Sequence, residues 1–256
     1  MSQRVDYDRV ADVYESRYVR NDYSGVEQAL AAFVAGPGID EHVILEVGCG
    51  AGHWLHWLGQ ANVSVVGLDP AAGMLKVARA APGSRRLIRG RAEALPFVST
   101  SCRRLFCVNA LHHFEDPGAF FREARRVLTA GGGLMTIGLD PHNGQDEWWI
   151  YEHFPEALVA DQKRYWSTSR IRELMASSGF DGCETRIIQH RPWEMTVSAA
   201  RAGGFMNRTS TSQLMVISDS EYEAGAKRID AADNASDGQM TLRSNLRLYG
   251  TTGWAA

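Results

Sequence analysis

The sequence predicts an α/β fold built on a mostly parallel sheet, and three observations carry that reading. Strand-length apolar runs alternate with segments of helical period over the first 140 residues, the pattern of a parallel sheet with right-handed crossovers. The apolar run Val43 to Val47, interrupted by Glu46, leads into glycines at alternate positions, Gly48, Gly50 and Gly52, and then into a helix starting at His53. A strand, a glycine turn and a helix N-terminus together make a nucleotide-binding corner with exposed N–H donors. The next strand, Val63 to Leu68, ends at Asp69, whose carboxylate can accept both hydroxyls of a ribose.

The elements follow in order. Tyr7 to Tyr23 places Val10, Val13, Tyr14, Arg17 and Tyr18 near one helical face. Val26 to Val34 reads as a second helix, ended by Gly36, Pro37 and Gly38. After the glycine corner, Pro70 starts a helix continuing from Ala71 to Ala81, and Pro82 and Gly83 stop it. Leu87 and Ile88 mark a short third strand, Gly90 to Phe97 a loop, and Leu105 to Asn109 the fourth strand. Asp116 can cap a helix whose first turn holds Pro117, with Phe120, Ala124, Val127 and Leu128 on one face. Gly131 to Gly133 turn the chain into a fifth strand, Leu134 to Leu139.

Regular patterning breaks between Asp140 and Trp166, where Trp148, Trp149, Tyr151, Phe154, Tyr165 and Trp166 crowd together without a period. Ile171, Leu174 and Met175 restore a helix, ended by Gly179. Cys183 to Gln189 and Thr241 to Tyr249 read as the last two strands. The stretch Arg191 to Gln239 between them is long for a hairpin connection and reads as a helical insertion, with Glu221 to Ala232 its best helix, forming a cap. The organisation expected is therefore an N-terminal helical lid over 1–40, a binding core over 41–140, an aromatic segment and the end of the core sheet over 141–191, an inserted cap over 192–240, and a last strand and tail over 241–256.

Composition narrows the function classes. The chain has 256 residues, 45% hydrophobic, enough for one α/β domain with a cap. A formal net charge of −3 argues against nonspecific nucleic-acid binding, which needs a basic face. The four cysteines, Cys49, Cys102, Cys107 and Cys183, have no metal-ligand spacing and no secreted framework, and read as reduced thiols of a cytoplasmic protein. The N-terminus lacks an apolar signal segment, and no apolar run is long enough to span a membrane. Arg85, Arg86, Arg89 and Arg91 form a basic stretch that reads first as a solvated face.

Five ordered blocks then carry a family resemblance: E-V-G-C-G-A-G, G-L-D-P-A-A-G-M-L, R-A-E-A-L-P-F, N-A-L-H-H-F and R-V-L-T-A-G-G-G-L. Together they resemble class I S-adenosylmethionine-dependent methyltransferases, of the branch containing the ubiquinone and menaquinone C-methyltransferases and related small-molecule enzymes. The resemblance covers roughly Tyr7 to Phe180. It implies a Rossmann-like seven-stranded sheet with helices on both faces and an antiparallel edge strand, S-adenosyl-L-methionine as cofactor with S-adenosyl-L-homocysteine as product, and no metal. It also implies in-line methyl transfer to an oxygen, nitrogen or carbon of a small-molecule acceptor.

Residue by residue, the resemblance gives Glu46 the methionine end of the cofactor and Asp69 the ribose. Gly48, Cys49, Gly50 and Gly52 line the cofactor through backbone atoms, with Pro70 beside Asp69. Met74 packs near the adenine, the backbone of Ala92 meets the adenine ring, and Asn109 stands near the methionine moiety. The family usually carries an Asp just before Ala92. Arg91 occupies that place here, so Glu93 becomes the candidate adenine acceptor. His112 and His113 are general-base candidates because imidazole titrates near neutral pH. The N-terminal helix with Tyr14, Arg17 and Tyr18 is expected to close the site, and Trp148 and Trp149 to shield it. The cap aromatics serve equally a hydrophobic acceptor or a homodimer interface.

Three rivals would use a similar corner. A nicotinamide-dependent oxidoreductase would want G-x-G-x-x-G where this chain has G-x-G-x-G. A non-methylating S-adenosylmethionine-binding protein would keep the cofactor without transferring the methyl. A nucleic-acid base methyltransferase would want an Asn/Asp-Pro-Pro-aromatic block where Asn109-Ala110-Leu111-His112 stands.

Overall fold

A computed structural model describes residues 21–35, 42–81, 86–190 and 192–256. The lid residues Tyr14, Arg17 and Tyr18 lie outside the described residues.

The chain runs α1 (Ser24–Val34), β1 (Val43–Val47), α2 (His53–Gln60), β2 (Val65–Asp69), α3 (Ala72–Ala80), β3 (Arg86–Arg89) and β4 (Cys102–Val108). A 3-10 turn over Leu111–His113 leads to α4 (Pro117–Val127) and β5 (Leu128–Gly138). The cap segment follows as β6 (Glu147–Trp148), α5 (Trp149–His153) and α6 (Pro155–Arg164), before α7 (Thr168–Ser177) and β7 (Phe180–His190). Then come β8 (Trp193–Thr196), α8 (Val197–Ala202), α9 (Ser212–Met215), α10 (Asp219–Ala235), β9 (Thr241–Asn245) and β10 (Arg247–Ala255).

The main sheet has seven strands in the order β3-β2-β1-β4-β5-β10-β7. Pairings from β3 through β5 are parallel, and β10 runs antiparallel to both β5 and β7. The antiparallel strand thus enters at this edge of the sheet, with β7 outside it. Order reverses between β1 and β4, so the carboxyl ends of β1, β2 and β4 flank the crevice where doubly wound sheets bind ligands. One apolar layer packs Phe120, Phe121 and Val127 of α4 and Ile171 and Met175 of α7 on one face of the sheet. The other packs Val26, Leu30 and Phe33 of α1 and Trp54, Leu55 and Leu58 of α2 on the opposite face. Asp116 caps α4, its side chain accepting from the Ala119 N–H at 3.0 Å, and Pro117 occupies the first turn, where a missing N–H costs nothing.

Three boundaries differ from the sequence reading. The glycines Gly131 to Gly133 lie inside β5, which begins at Leu128. Cys102 pairs with Leu128 and Arg104 with Gly133, so they form a local irregularity, not a turn. The last strand of the main sheet is Arg247–Ala255, whereas Thr241–Asn245 belongs to a separate three-stranded sheet, β6-β9-β8. The insertion is also mixed: it opens with strand β8 before its helices.

This small sheet has its own core. Trp149, Ile150, Phe154, Val197, Leu214, Ile229 and Leu242 are buried together, so the segment before α7 and the insertion after β7 make one unit. Trp149 is 2% exposed and meets Phe154 edge-on at 6.1 Å. Trp149 is therefore a core side chain of this unit, into which the unpatterned aromatic run folds. Trp148 is half-buried, edge-on to Tyr151 at 5.1 Å. The cap is pinned by Asp161, fully buried on α6, which accepts from the Tyr151 hydroxyl at 2.6 Å and Gln213 Nε2 at 2.9 Å and pairs with Arg164.

Candidate active site

The glycine corner is built around backbone N–H groups and two carboxylates. Gly48 N–H and Cys49 N–H both donate to the Leu68 carbonyl, at 2.7 and 3.1 Å, which ties the turn to the end of β2. Gly48 takes φ +77°, and a Cβ there would sit 2.4 Å from the Ala110 Cβ, so the turn and the chain after β4 touch through a missing side chain. Gly50 takes φ +53° with nothing within 4 Å of a Cβ position. Backbone there borders open space, as a cradle for a ligand requires.

Asp69 is 9% exposed. Its Oδ2 accepts from Gly50 N–H and its Oδ1 from Ala71 N–H, each at 2.9 Å. These bonds fix the carboxylate across the mouth of the turn, with Pro70 carrying the chain into α3. Glu46, at the end of β1, is 1% exposed, and its Oε2 has no hydrogen-bond partner among the described residues. Burial, with the Asp69 charge second, pushes its carboxyl well above the usual carboxylate range. A buried acid with an orphaned oxygen is costly unless a ligand completes it. Cys49 is 6% exposed, its thiol lying in ordinary contact range of its own turn. Gly52 ends the turn in the left-handed conformation at the N-cap of α2.

The remaining sequence candidates fall at different depths. Met74 is buried against Ala51 beneath the turn. Ala92 is buried, with its neighbours Arg91 and Ala94 bridged across the loop. Arg91 turns to Glu115 and lies 3.5 Å from Glu93. Glu93 Oε1 accepts from the N–H of Glu115 at 2.7 Å and of Asp116 at 3.4 Å. Its carboxylate therefore already terminates the chain before α4, and an adenine contact would compete with those bonds. Asn109 sits in the left-handed region at φ +51° and donates its N–H to the Ile137 carbonyl at 2.8 Å. Asn tolerates this conformation better than most residues, and it aims the chain past the end of β5.

His112 lies face to face with Tyr165 of the cap, ring centres 3.9 Å apart and planes 15° from parallel, with His113 3.8 Å away on a tilted plane. Tyr165 is a site residue that sequence reasoning left among the cap aromatics. The sole signal was its place in that aromatic run. Among the described residues, no group of three or more His, Cys, Asp or Glu side chains could hold a metal ion.

The geometry meets a known family at this point. Residues 45–136 match the model of the methyltransferase domain family. Over these residues the chain is similar to class I S-adenosylmethionine-dependent methyltransferases. Among relatives by sequence, a methyltransferase of Bacillus subtilis named YcgJ is 32% identical over 102 residues, 38% of this chain and 40% of that protein. A malonyl-[acyl-carrier protein] O-methyltransferase of Yersinia pestis is 38% identical over 96 residues, 36% of this chain and 35% of its own. A protein of Mycobacterium tuberculosis is 32% identical over 154 residues, 58% of this chain and 50% of its own. This chain thus spans half or less of each of these relatives.

Solved structures share the whole architecture of the methyltransferase domain at low identity. The YcgJ structure from Bacillus subtilis has a TM-score of 0.60 at 19% identity, covering 91% of this chain and 99% of that one. A Haemonchus contortus phosphoethanolamine N-methyltransferase in complex with S-adenosyl-L-methionine has a TM-score of 0.60 at 17% identity, covering 97% of this chain and 57% of that one. At these identities the likeness speaks for the fold. Among the described residues, no helix is long and apolar enough to cross a membrane.

Proposed function

We propose that the protein binds S-adenosyl-L-methionine in the glycine corner and transfers its methyl group to an oxygen, nitrogen or carbon of a small-molecule acceptor. The observation that carries this reading is the Glu46 carboxyl: buried, one oxygen without a partner, and beside a glycine cradle closed by Asp69. The donor set fits the cofactor. Glu46 suits the methionine ammonium, Asp69 the ribose hydroxyls, and the N–H groups of the turn the remaining polar atoms.

When bound, the cofactor supplies an electrophilic sulfonium methyl group. The protein's part is binding, alignment and exclusion of water. Glu46 and Asp69 hold the two ends of the ligand at fixed distance because they terminate adjacent hydrogen-bonded strands. The 3-10 turn of His112 and His113, roofed by Tyr165, stands beside Asn109 on the acceptor side. His112 and His113 are the candidates for taking a proton from the acceptor. The partner of this reaction is a small molecule, and the surroundings are cytoplasmic, as the cysteine usage supports.

Turnover tests the proposal. With methyl-labelled donor and a panel of hydroxyl, amine and activated-carbon acceptors, label is expected in at least one acceptor, and none for Asp69→Ala. Cofactor binding with no transfer to any acceptor would instead favour a non-methylating S-adenosylmethionine-binding protein. Binding of NAD in its place would favour the oxidoreductase.

A further inference from the structure

A second cavity opens beyond the carboxyl end of β5, beside the glycine corner but separate from it. Its floor is Thr136 and Gly138 of β5 with Tyr249 and Thr251 of β10, and its walls include His112 and Tyr165. Asn109 borders Gly138: its Oδ1 is 4.0 Å from where a Gly138 Cβ would be, and no other atom beyond the chain neighbours lies within that distance. The floor over Gly138 is therefore open.

The hydroxyls on the floor are unequal. Thr251 Oγ1 is bonded to Thr185 Oγ1 at 2.9 Å. Thr136 faces Thr251 in register across the strand pair and is 3% exposed, yet its Oγ1 has no partner among the described residues. A buried hydroxyl normally finds a partner, and its absence marks a place where a ligand or ordered water completes the bond. Nearby, the Tyr249 hydroxyl accepts from Asn143 Nδ2 at 2.7 Å, which leaves its own O–H to donate. Among the described residues, no Asp, Glu, Lys or Arg lines the cavity. The acid closest in sequence, Asp140, is saturated by the N–H of His142 and by the N–H and hydroxyl of Thr168, at 3.0, 2.8 and 3.0 Å.

Tyr165 and His112 are stacked in contact as one aromatic wall, and the tyrosine is fixed from behind. Gln213 Nε2 donates to the Tyr165 hydroxyl at 3.2 Å and to Asp161 at 2.9 Å. The cavity has room for roughly one or two waters, so it takes the edge of a ligand and not its bulk.

We propose that this cavity is the distal end of the acceptor site, and that it receives the oxygen-bearing edge of a neutral, planar acceptor with Thr136 Oγ1 as hydrogen-bond partner. This rests on the methyltransferase reading for its place in the reaction. A neutral edge fits better than an anionic one, because no Lys or Arg among the described lining residues would neutralise a negative charge.

The probes are 2-naphthol, benzoate and phenyl phosphate, titrated calorimetrically into the full chain saturated with S-adenosyl-L-homocysteine. 2-Naphthol is expected to bind and the two anions not. Thr136→Val, of the same shape, is expected to weaken 2-naphthol about tenfold. It should leave S-adenosyl-L-homocysteine affinity unchanged and the unliganded melting temperature unchanged or raised, since the lost hydroxyl had no partner. Absent 2-naphthol binding, equal 2-naphthol affinity in the variant, binding of the anions, or a melting temperature lowered by several degrees would each overturn the proposal. If S-adenosyl-L-homocysteine fails to bind while Thr136-dependent 2-naphthol binding persists, the cofactor reading fails and the cavity assignment stands.

Discussion

Glu46→Gln is expected to move folding and cofactor binding in opposite directions. In the unliganded protein the Glu46 carboxyl is buried with one oxygen unpartnered, and its pKa lies well above the ordinary 4.5. For an acid whose folded pKa is raised, the folded chain keeps a proton that the unfolded chain releases. Unfolding free energy therefore falls as pH rises from about 4.5 toward the raised folded value. Glutamine has the same shape and cannot ionise, so this loss disappears. The difference between leaving a charged and a neutral group unpartnered is about 1–2 kcal/mol. For a chain of this size that corresponds to roughly 2–8 °C in melting temperature at pH 8, with little change at pH 5.

Binding should respond the other way. A charge-assisted hydrogen bond contributes about 1.5–3 kcal/mol, so losing the carboxylate should weaken S-adenosyl-L-homocysteine roughly 10–100-fold. The ligand's ammonium also lowers the carboxyl's pKa when bound, so binding releases a proton, and wild-type affinity rises with pH through the same window. Differential scanning fluorimetry at pH 5 and 8 reads the first effect, and calorimetry in two buffers of different ionisation enthalpy reads the second. A variant that binds like wild type, or that melts lower at pH 8, would refute this reasoning.

The two turn glycines should separate folding from binding. Gly48→Ala is expected to cost about 2–4 kcal/mol in urea unfolding, from the collision with Ala110 and the left-handed backbone. Gly50→Ala should cost only about 1–2 kcal/mol of backbone strain, because its methyl meets nothing, and yet weaken S-adenosyl-L-homocysteine at least tenfold. Gln213→Leu removes donors from Asp161 and Tyr165 and is expected to destabilise by about 1–3 kcal/mol, with a lower urea midpoint as the readout. Thiol titration of the folded protein should find Cys49, Cys102 and Cys107 unreactive, since all three are buried and burial pushes the Cys102 and Cys107 thiols up, whereas half-buried Cys183 reacts slowly.

The core was legible because its signals are local. An apolar run ending in Glu46, glycines at alternate positions, and an acid at the end of the next strand sit within a few residues of one another and need no tertiary knowledge. The helix from Pro117 was equally plain, since capping depends on Asp116 and its near neighbours. The last strand was not. The sequence reading ended the last strand at Tyr249, whereas Arg247–Ala255 runs on through Gly250 and Gly253. In the sheet they are small because Ile188 Cγ2 would lie 2.9 Å from a Cβ at Gly250 and Met175 Cε 3.0 Å from one at Gly253. Thr241–Asn245 looks like a strand and is one, but its partners, Glu147–Trp148 and Trp193–Thr196, come from two separated segments, and no sequence period records that pairing. The same distance hides Tyr165 over His112, and Thr136 looks like any strand threonine until its missing partner is seen.

The measurement that most directly tests the central claim is calorimetric titration of S-adenosyl-L-homocysteine into the wild type and Asp69→Ala. Asp69 spans the turn through Gly50 and Ala71 and is the proposed ribose acceptor. Micromolar binding is expected of the wild type, lost or weakened at least a hundredfold in a variant that still melts cooperatively. No binding by the wild type, or equal binding by the variant, would contradict it.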